Sequence, residues 1–434
     1  MKASKSPTLI VIDSSYTFAM IKQRGLDYSV TCRDLDGFFD HVYTVNPLAV
    51  AVATEGSSTG AQIRIIQMAD RHTFIETGHG GDHTGRFSTL SGAIAFLKSQ
   101  VSLIKMLHRI GSRDHPVAVR AGDPLYCGLF GFLLARWLRC PLVVRVGSNN
   151  DEVRASTGRA LMPRLLRYGA VERKVERLVL SHADAVMGAN SDNLTWAVKA
   201  GAAPDASVLV RYGNLIAPEH FSDPRGRGLP SHLLQDLDIS PTDVIVLYVG
   251  RLEPVKRAND VVEVAARLRD RGIDCVFLMV GDGSQRAALE QECRDRGLEW
   301  SVRFCGSQDQ LTLAQLNARA ACVVSPHTGR ALSESALAGA PIVAYDIDWQ
   351  GELIVDEESG YLVPFADVEG LADATYDLLA NRDKSRRLGL AVRERARALL
   401  DPKAGNDAER RLYTQLFSGR RFRGGVRRPG EPNS

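Results

Sequence analysis

Two cations in this 434-residue chain are placed where they could do chemistry. The run from Val244 to Val249 reads as a buried β-strand that stops at Gly250, and Arg251 and Lys256 follow at once. Beyond them Val261, Val264, Ala265 and Leu268 recur at helical spacing, so the cations occupy the turn between a strand and a helix. In an open parallel α/β sheet, ligands bind at the carboxyl ends of the strands. Arginine can grip a phosphate with a fork of donors, and lysine adds a compact charge. Two solvated charges in a loop would give the same pattern.

The elements that must hold these residues follow from the apolar pattern. In the N-terminal half the expected strands are Leu9–Ile12, His41–Val45, Ile63–Met68, Pro116–Arg120, Leu142–Val146 and Ala185–Gly188. The expected helices are Leu90–Ile110, Tyr126–Leu138, Leu161–Ser181 and Ser191–Ala200. The C-terminal half repeats the scheme with strands at Val244–Val249, Cys275–Val280, Val302–Phe304, Cys322–Ser325, Pro341–Ala344 and Tyr361–Val363. Strands alternating with helices argue for parallel sheets covered on both faces. The length suits two domains, joined by the Pro- and Gly-containing stretch from Gly213 to Ser240.

Composition excludes several classes. The chain is 44% hydrophobic and 24% charged, as expected of a globular protein, and no apolar run is long enough to cross a bilayer. The first residues show no signal-peptide core. Seven scattered cysteines without a Cys-x-x-Cys pair read as reduced thiols, which points to a cytoplasmic protein. The net charge of +3 is uneven. From Gly419 onward five arginines face one glutamate, so the tail carries +4 and the remainder about −1. The body is therefore not a nucleic-acid-binding surface. The tail reads as disordered and could touch anionic lipid at the inner face of a membrane, or have no role. The segment Gly78-His79-Gly80-Gly81-Asp82-His83-Thr84-Gly85 reads as a mobile loop, because flanking glycines cannot fix a metal-ligand geometry.

Further motifs follow in order: Gly329 to Ala344, with Glu334, Gly339 and Pro341; Glu352 to Asp356; Ser359 to Pro364; and Asp367. With Arg251 and Lys256, this series resembles the donor-binding half of glycosyltransferase family 4, retaining enzymes of the GT-B fold. The resemblance is close from Val244 to Leu400 and looser from Leu9 to Phe221. It implies an α/β protein with two doubly wound Rossmann-like domains facing across a cleft. Residues 1–214 would form the acceptor-binding domain and 215–401 the donor-binding domain. Residues 402–418 would be a helix packing back on the first domain, and 419–434 the basic tail.

The resemblance implies a transferase that moves a sugar from a UDP- or GDP-activated donor to an acceptor hydroxyl, retaining anomeric configuration and needing no metal or other cofactor. Arg251 and Lys256 match the family's diphosphate-binding pair, and Glu334 its ribose-binding glutamate. The helix beginning near Gly329, Arg330, Ala331 and Leu332 would aim backbone N–H groups at the same anion. Gly250, Gly281 and Cys305 fall on neighbouring loops of the donor site. The acceptor would be a sugar, a lipid-linked sugar or a small molecule. Arg120, Asp123, Asn149, Asn150 and Asp151, after two N-terminal strands, are the candidates to meet it, with Asp123 and Asp151 as partners of its hydroxyl. Helix capping accounts for Asp151 as well.

Two departures stand out. Seven residues ordinarily separate Glu334 from a second glutamate that contacts the donor sugar, but Pro326 holds that place. His327 or Arg330 could take over the contact. Asp13-Ser14-Ser15 replaces a glycine-rich loop. A nucleotide-sugar epimerase or hydrolase, or a binding protein without catalysis, would fit the same motifs.

Overall fold

The computed structural model describes residues 7–49, 62–78, 90–112, 115–162, 165–166, 168–222, 235–327 and 329–419. The chain divides into two compact units. The first comprises the described residues of 1–23, 27–215 and 402–434; the second comprises 24–26 and 216–401. Residues 79–85 of the glycine- and histidine-containing loop, and the tail beyond residue 419, lie outside the described residues.

The first unit is built on eight strands: β1 (Thr8–Ile12), β2 (His41–Asn46), β3 (Gln62–Ala69), β4 (His72–Gly78), β5 (Val117–Ala121), β6 (Leu142–Val146), β7 (Ala185–Gly188) and β8 (Ser207–Leu209). Their order is β3-β4-β2-β1-β5-β6-β7-β8. All neighbours run parallel except β3 and β4, which pair antiparallel at one edge. The expectation of a purely parallel sheet is thus corrected. Asp70 and Arg71 alone join β3 to β4, a link that permits only a hairpin. A second correction concerns the helix expected at Leu161–Ser181, which begins at Gly169.

Parallel central strands are buried on both faces, so their residues alternate between two cores. In β1, Ile10 and Ile12 pack with Val119, Val144 and the helices α1 (Leu90–Gly111) and α2 (Tyr126–Leu138). Leu9 and Val11 face the other way, toward Ala118, Val143 and Tyr413. By the same alternation Arg120 on β5 and Arg145 on β6 point toward this second core. Further along the first core's face lie α3 (Asn150–Thr157) and α4 (Gly169–Ser181).

The second unit carries β9 (Ile245–Val249), β10 (Val276–Val280), β11 (Val302–Gly306), β12 (Cys322–Ser325), β13 (Ile342–Tyr345) and β14 (Tyr361–Val363), all parallel, in the order β11-β10-β9-β12-β13-β14. Val246 and Tyr248 pack on α5 (Ala258–Asp270), whereas Ile245 and Leu247 pack on α6 (Arg330–Ala338). In both sheets the chain starts centrally, builds outward, then crosses back to the other side. This creates a switch point between β1 and β5 in one sheet and between β9 and β12 in the other, where open sheets leave a crevice.

The last described helix, α7 (Pro402–Phe417), belongs to the first unit. Its Glu409 is fully buried and binds Arg120 at 2.8 Å and Arg145 at 3.0 Å, and accepts a hydrogen bond from Asn214 at 2.9 Å. Burial pushes the Glu409 carboxyl up, but the two guanidinium groups and Asn214 outweigh it and hold it below the ordinary 4.5. Since the folded value is the lower one, this stabilisation is complete above about pH 4.5 and fades as pH falls through the folded value. Glu409→Gln leaves two buried arginines without their counter-charge, a loss of about 3–5 kcal/mol. Urea unfolding of this variant at neutral pH should show an earlier transition than wild type, with the gap narrowing in acid. Equal midpoints at neutral pH would refute the assignment.

Candidate functional site

The loop after β9 is shaped by three backbone approaches. Gly250 N–H donates to Val280 O at 3.0 Å, and Leu252 N–H to Asp282 O at 3.0 Å. Gly281 has φ 139°, and a Cβ there would lie 1.9 Å from Gly250 O, so no other residue fits. Gly281 N–H in turn donates to Gly306 O at 2.8 Å, which ties in the loop carrying Cys305. The Cys305 thiol, partly buried, is pushed up to about 12 by burial and is inert as a nucleophile. Glu253 accepts from both Ser284 N–H (3.0 Å) and Ser284 Oγ (2.6 Å), which pins the middle of the β9 loop.

Three cations follow β9, and they differ in kind. Arg257, in left-handed conformation, binds Asp260 at 2.7 Å and lies over the Phe365 ring at 4.9 Å. It is committed to the fold. Arg251 and Lys256 have no salt-bridge partner among the described residues. The Lys256 ammonium is brought down to about 8 by burial and by the nearby positive charge of Arg251, with Asp348 opposing. A partly buried lysine beside an arginine is a site that gains from binding an anion.

The end of β12 lies across the switch point. Pro326 is buried, and its carbonyl accepts from Gln350 at 3.0 Å; Gln350 also donates to Tyr345 O at 2.9 Å. His327 Nδ1 donates to Val255 O at 3.0 Å, and its Nε2 is 3.6 Å from Asp348. Gly329, at φ 56°, caps α6, and a Cβ on it would be 4.0 Å from Lys256 Nζ. The Lys256 ammonium and the positive end of the α6 dipole therefore meet at one point. Leu332 and Ala331 pack into the core. Glu334 is buried and accepts from Arg330 Nε at 2.9 Å. At the far end Gly339 (φ 75°) closes the helix. Gly250, Arg251, Lys256, Gly281, His327, Gly329, Arg330 and Glu334 thus share one region around the β9–β12 switch point. Sequence reasoning missed the clasp of Glu253 on Ser284, which holds the loop after β9; only its nearness to glycine-containing turns could have marked it.

The N-terminal candidates separate. Asp123 follows β5 at the other switch point, where a Cβ on Gly122 would lie 3.3 Å from the Asp13 carboxyl carbon. Burial pushes Asp13 up, but Arg33 at 2.8 Å and Ser15 outweigh it, and its carboxyl is held low. Burial holds Asp123 high, against hydrogen bonds from Cys127 and Leu125. The remaining four have partners within the first unit. Arg120 is consumed by Glu409. Asn149 caps α3. Asn150 is buried and donates to Glu176 at 2.8 Å. Asp151 is held by Arg154, Arg173 and Trp196, each at 3.1 Å. Strand ends collect such polar residues because helix starts need caps and buried charges need partners.

Comparison with known proteins bears on this geometry. Residues 232–395 match the family model described as glycosyl transferases group 1. The chain is 28% identical over 290 residues to alpha-D-kanosaminyltransferase of Streptomyces kanamyceticus, covering 65% of this chain and 72% of that protein. It is 28% identical over 166 residues to N-acetyl-alpha-D-glucosaminyl L-malate synthase of Bacillus anthracis, covering 38% of this chain and less than half (43%) of that one. The crystal structure of HepE from Anabaena, in complex with UDP and glucose, superposes with a TM-score of 0.68 at 16% identity, over 94% of this chain and 99% of that chain. The fold is GT-B. The β9–β12 region of the GT-B chain lies inside the stretch that matches the family model. Among its described residues no helix is long and apolar enough to cross a membrane.

An anion seated against Lys256 should raise the ammonium's affinity for its proton. At about pH 8, where the free group is half charged, binding of a nucleoside diphosphate should draw in about half a proton per site. Affinity should be full below that pH and fall above it. Calorimetry in two buffers of different ionisation enthalpy measures the uptake. Lys256→Arg should abolish it, and uptake unchanged in that variant would show that Lys256 is not the group responsible.

Proposed function

We propose that this protein is a metal-independent, retaining glycosyltransferase that moves a sugar from a UDP- or GDP-activated donor to an acceptor hydroxyl. The observation that carries the reading is the Arg251–Lys256 pair, without a salt-bridge partner among the described residues, beside the start of α6. Breaking the anomeric bond develops negative charge on the diphosphate. Fixed cations and backbone N–H groups stabilise that charge without reorganising. Glu334 would accept the ribose hydroxyls in place of its bond to Arg330. With Pro326 where an acid would contact the donor sugar, His327 and Arg330 are left to line that subsite. The UDP in HepE supports a UDP-sugar as the first donor to try. Asp123 at the other switch point would meet the acceptor, a sugar, lipid-linked sugar or small molecule. Seven free cysteines suit a reducing, cytoplasmic compartment.

Arg251→Ala and Lys256→Ala should each lower turnover by about 10²–10³-fold, more than they weaken donor binding. Glu334→Gln should chiefly weaken donor binding, by about 1.5–3 kcal/mol. Transfer assays with a panel of nucleotide sugars, with and without chelator, check both the residues and the metal independence. NMR of the first-formed product checks retention. Near-normal transfer in all three folded variants would sink the proposal. Donor binding without transfer to any acceptor would favour the non-catalytic reading that Pro326 suggests.

A further inference from the structure

Helices α1, α2 and α4 cover one face of the first sheet, and Leu103, Leu107, Leu134 and Val179 among them point inward. Phe96 lies 6.0 Å from Tyr126, and His108 stacks on Trp137 at 4.0 Å, so α1 and α2 run side by side in the same direction. Phe132 meets His182 just past α4. Their far sides face away from the sheet.

Among the described residues, large apolar groups stand exposed on that far side. On α1, Ile94, Leu97 and Val101 follow a spacing of three and four and are 46%, 63% and 42% exposed, while Ser99 and Gln100 on the same helix are buried. On α2, Leu133 and Trp137, one turn apart, are 52% and 49% exposed. From the level of Ile94 to that of Trp137 the apolar strip extends about 20 Å. An amphipathic helix in water places these groups the other way round.

The charge on this side has one sign. Lys98, Lys105, Arg109, Arg136, Lys174 and Arg177 are exposed. The described residues of α1 and α2 include no carboxylate. The two on α4, Glu172 and Glu176, are buried against Arg154. Two copies of such a face would repel. A nucleic acid would meet the cations but gain nothing from Ile94, Leu97 and Val101. A bilayer with anionic headgroups satisfies both: aliphatic side chains and Trp137 enter the headgroup boundary while Lys and Arg meet lipid phosphates.

We propose that the outer face of α1, α2 and α4 docks onto an anionic lipid bilayer. The inference stands apart from the sugar-transfer reading and from the arginines beyond residue 419. The test is sedimentation of the full-length protein with vesicles of phosphatidylglycerol and phosphatidylcholine mixed, against phosphatidylcholine alone. The protein should bind the anionic vesicles and not the neutral ones. K98Q/K105Q/R136Q and L97Q/V101Q/W137Q should each weaken binding by about tenfold or more, with melting temperatures close to wild type. Failure of the wild type to bind anionic vesicles overturns the proposal. So does wild-type binding by either triple variant: an unaffected charge variant would point to the tail, an unaffected apolar variant to a general polyanion site.

Discussion

The carboxylate of Glu409, closed off from water between Arg120 and Arg145, is the interaction on which the first unit rests. Neither arginine could stay buried on a central strand without it at tolerable cost, because an isolated buried ion is among the least tolerable features of a protein interior. The same carboxylate holds Asn214, and Asn214 touches Asn406, so the end of the first stretch of chain and the start of α7 are fastened at one point. Arg120 pairs in register with Val11, two residues before Asp13. The floor beneath the β1–β5 switch point keeps one positive charge in excess, while Asp13 is held by Arg33 and Asp123 stands near the Asp13 carboxylate.

The second unit treats cations in the opposite way. Both units put basic residues on or just after a central strand. In the first they are answered from within the fold by Glu409. In the second only Arg257 is answered, by Asp260 and a ring stack, and Arg251 and Lys256 are left to repel one another. Such repulsion is tolerated because the loop is over-determined: glycine backbones interlock at Gly250 and Gly281, and Glu253 clasps Ser284. The rigidity needed to hold two like charges together is the rigidity that preorganises them for an anion.

Much of this was legible in the residues. Apolar runs ending in glycine marked β9 and the turn that follows, because strands buried on both faces leave little room for polar residues. Gly329 and Gly339 bracketed α6 because both backbone positions have positive φ. The N-terminal candidates were less legible for a specific reason. Arg120 looks like a strand-end ligand until its partner is known, and that partner lies 289 residues away in sequence. Asn150 and Asp151 look like acceptor contacts until Glu176 and Arg154 claim them. Pairing of buried polar groups is a property of three-dimensional neighbours and leaves no local periodicity. The β3–β4 pairing escaped because β4 was not expected: it is buried between β3 and β2, yet His72, Thr73, Glu76 and Thr77 interrupt any apolar run.

Because α7 completes a unit whose other strands all precede residue 216, the order of translation matters. A ribosome delivers Arg120 and Arg145 long before it delivers Glu409. The intervening residues 216–401 form a unit whose only other contribution, residues 24–26, is already in hand, and it can close first. Until Glu409 arrives the N-terminal sheet has two arginines unanswered. The 216–401 unit can therefore close before the first unit is complete, and α7 is the described helix that completes the first unit.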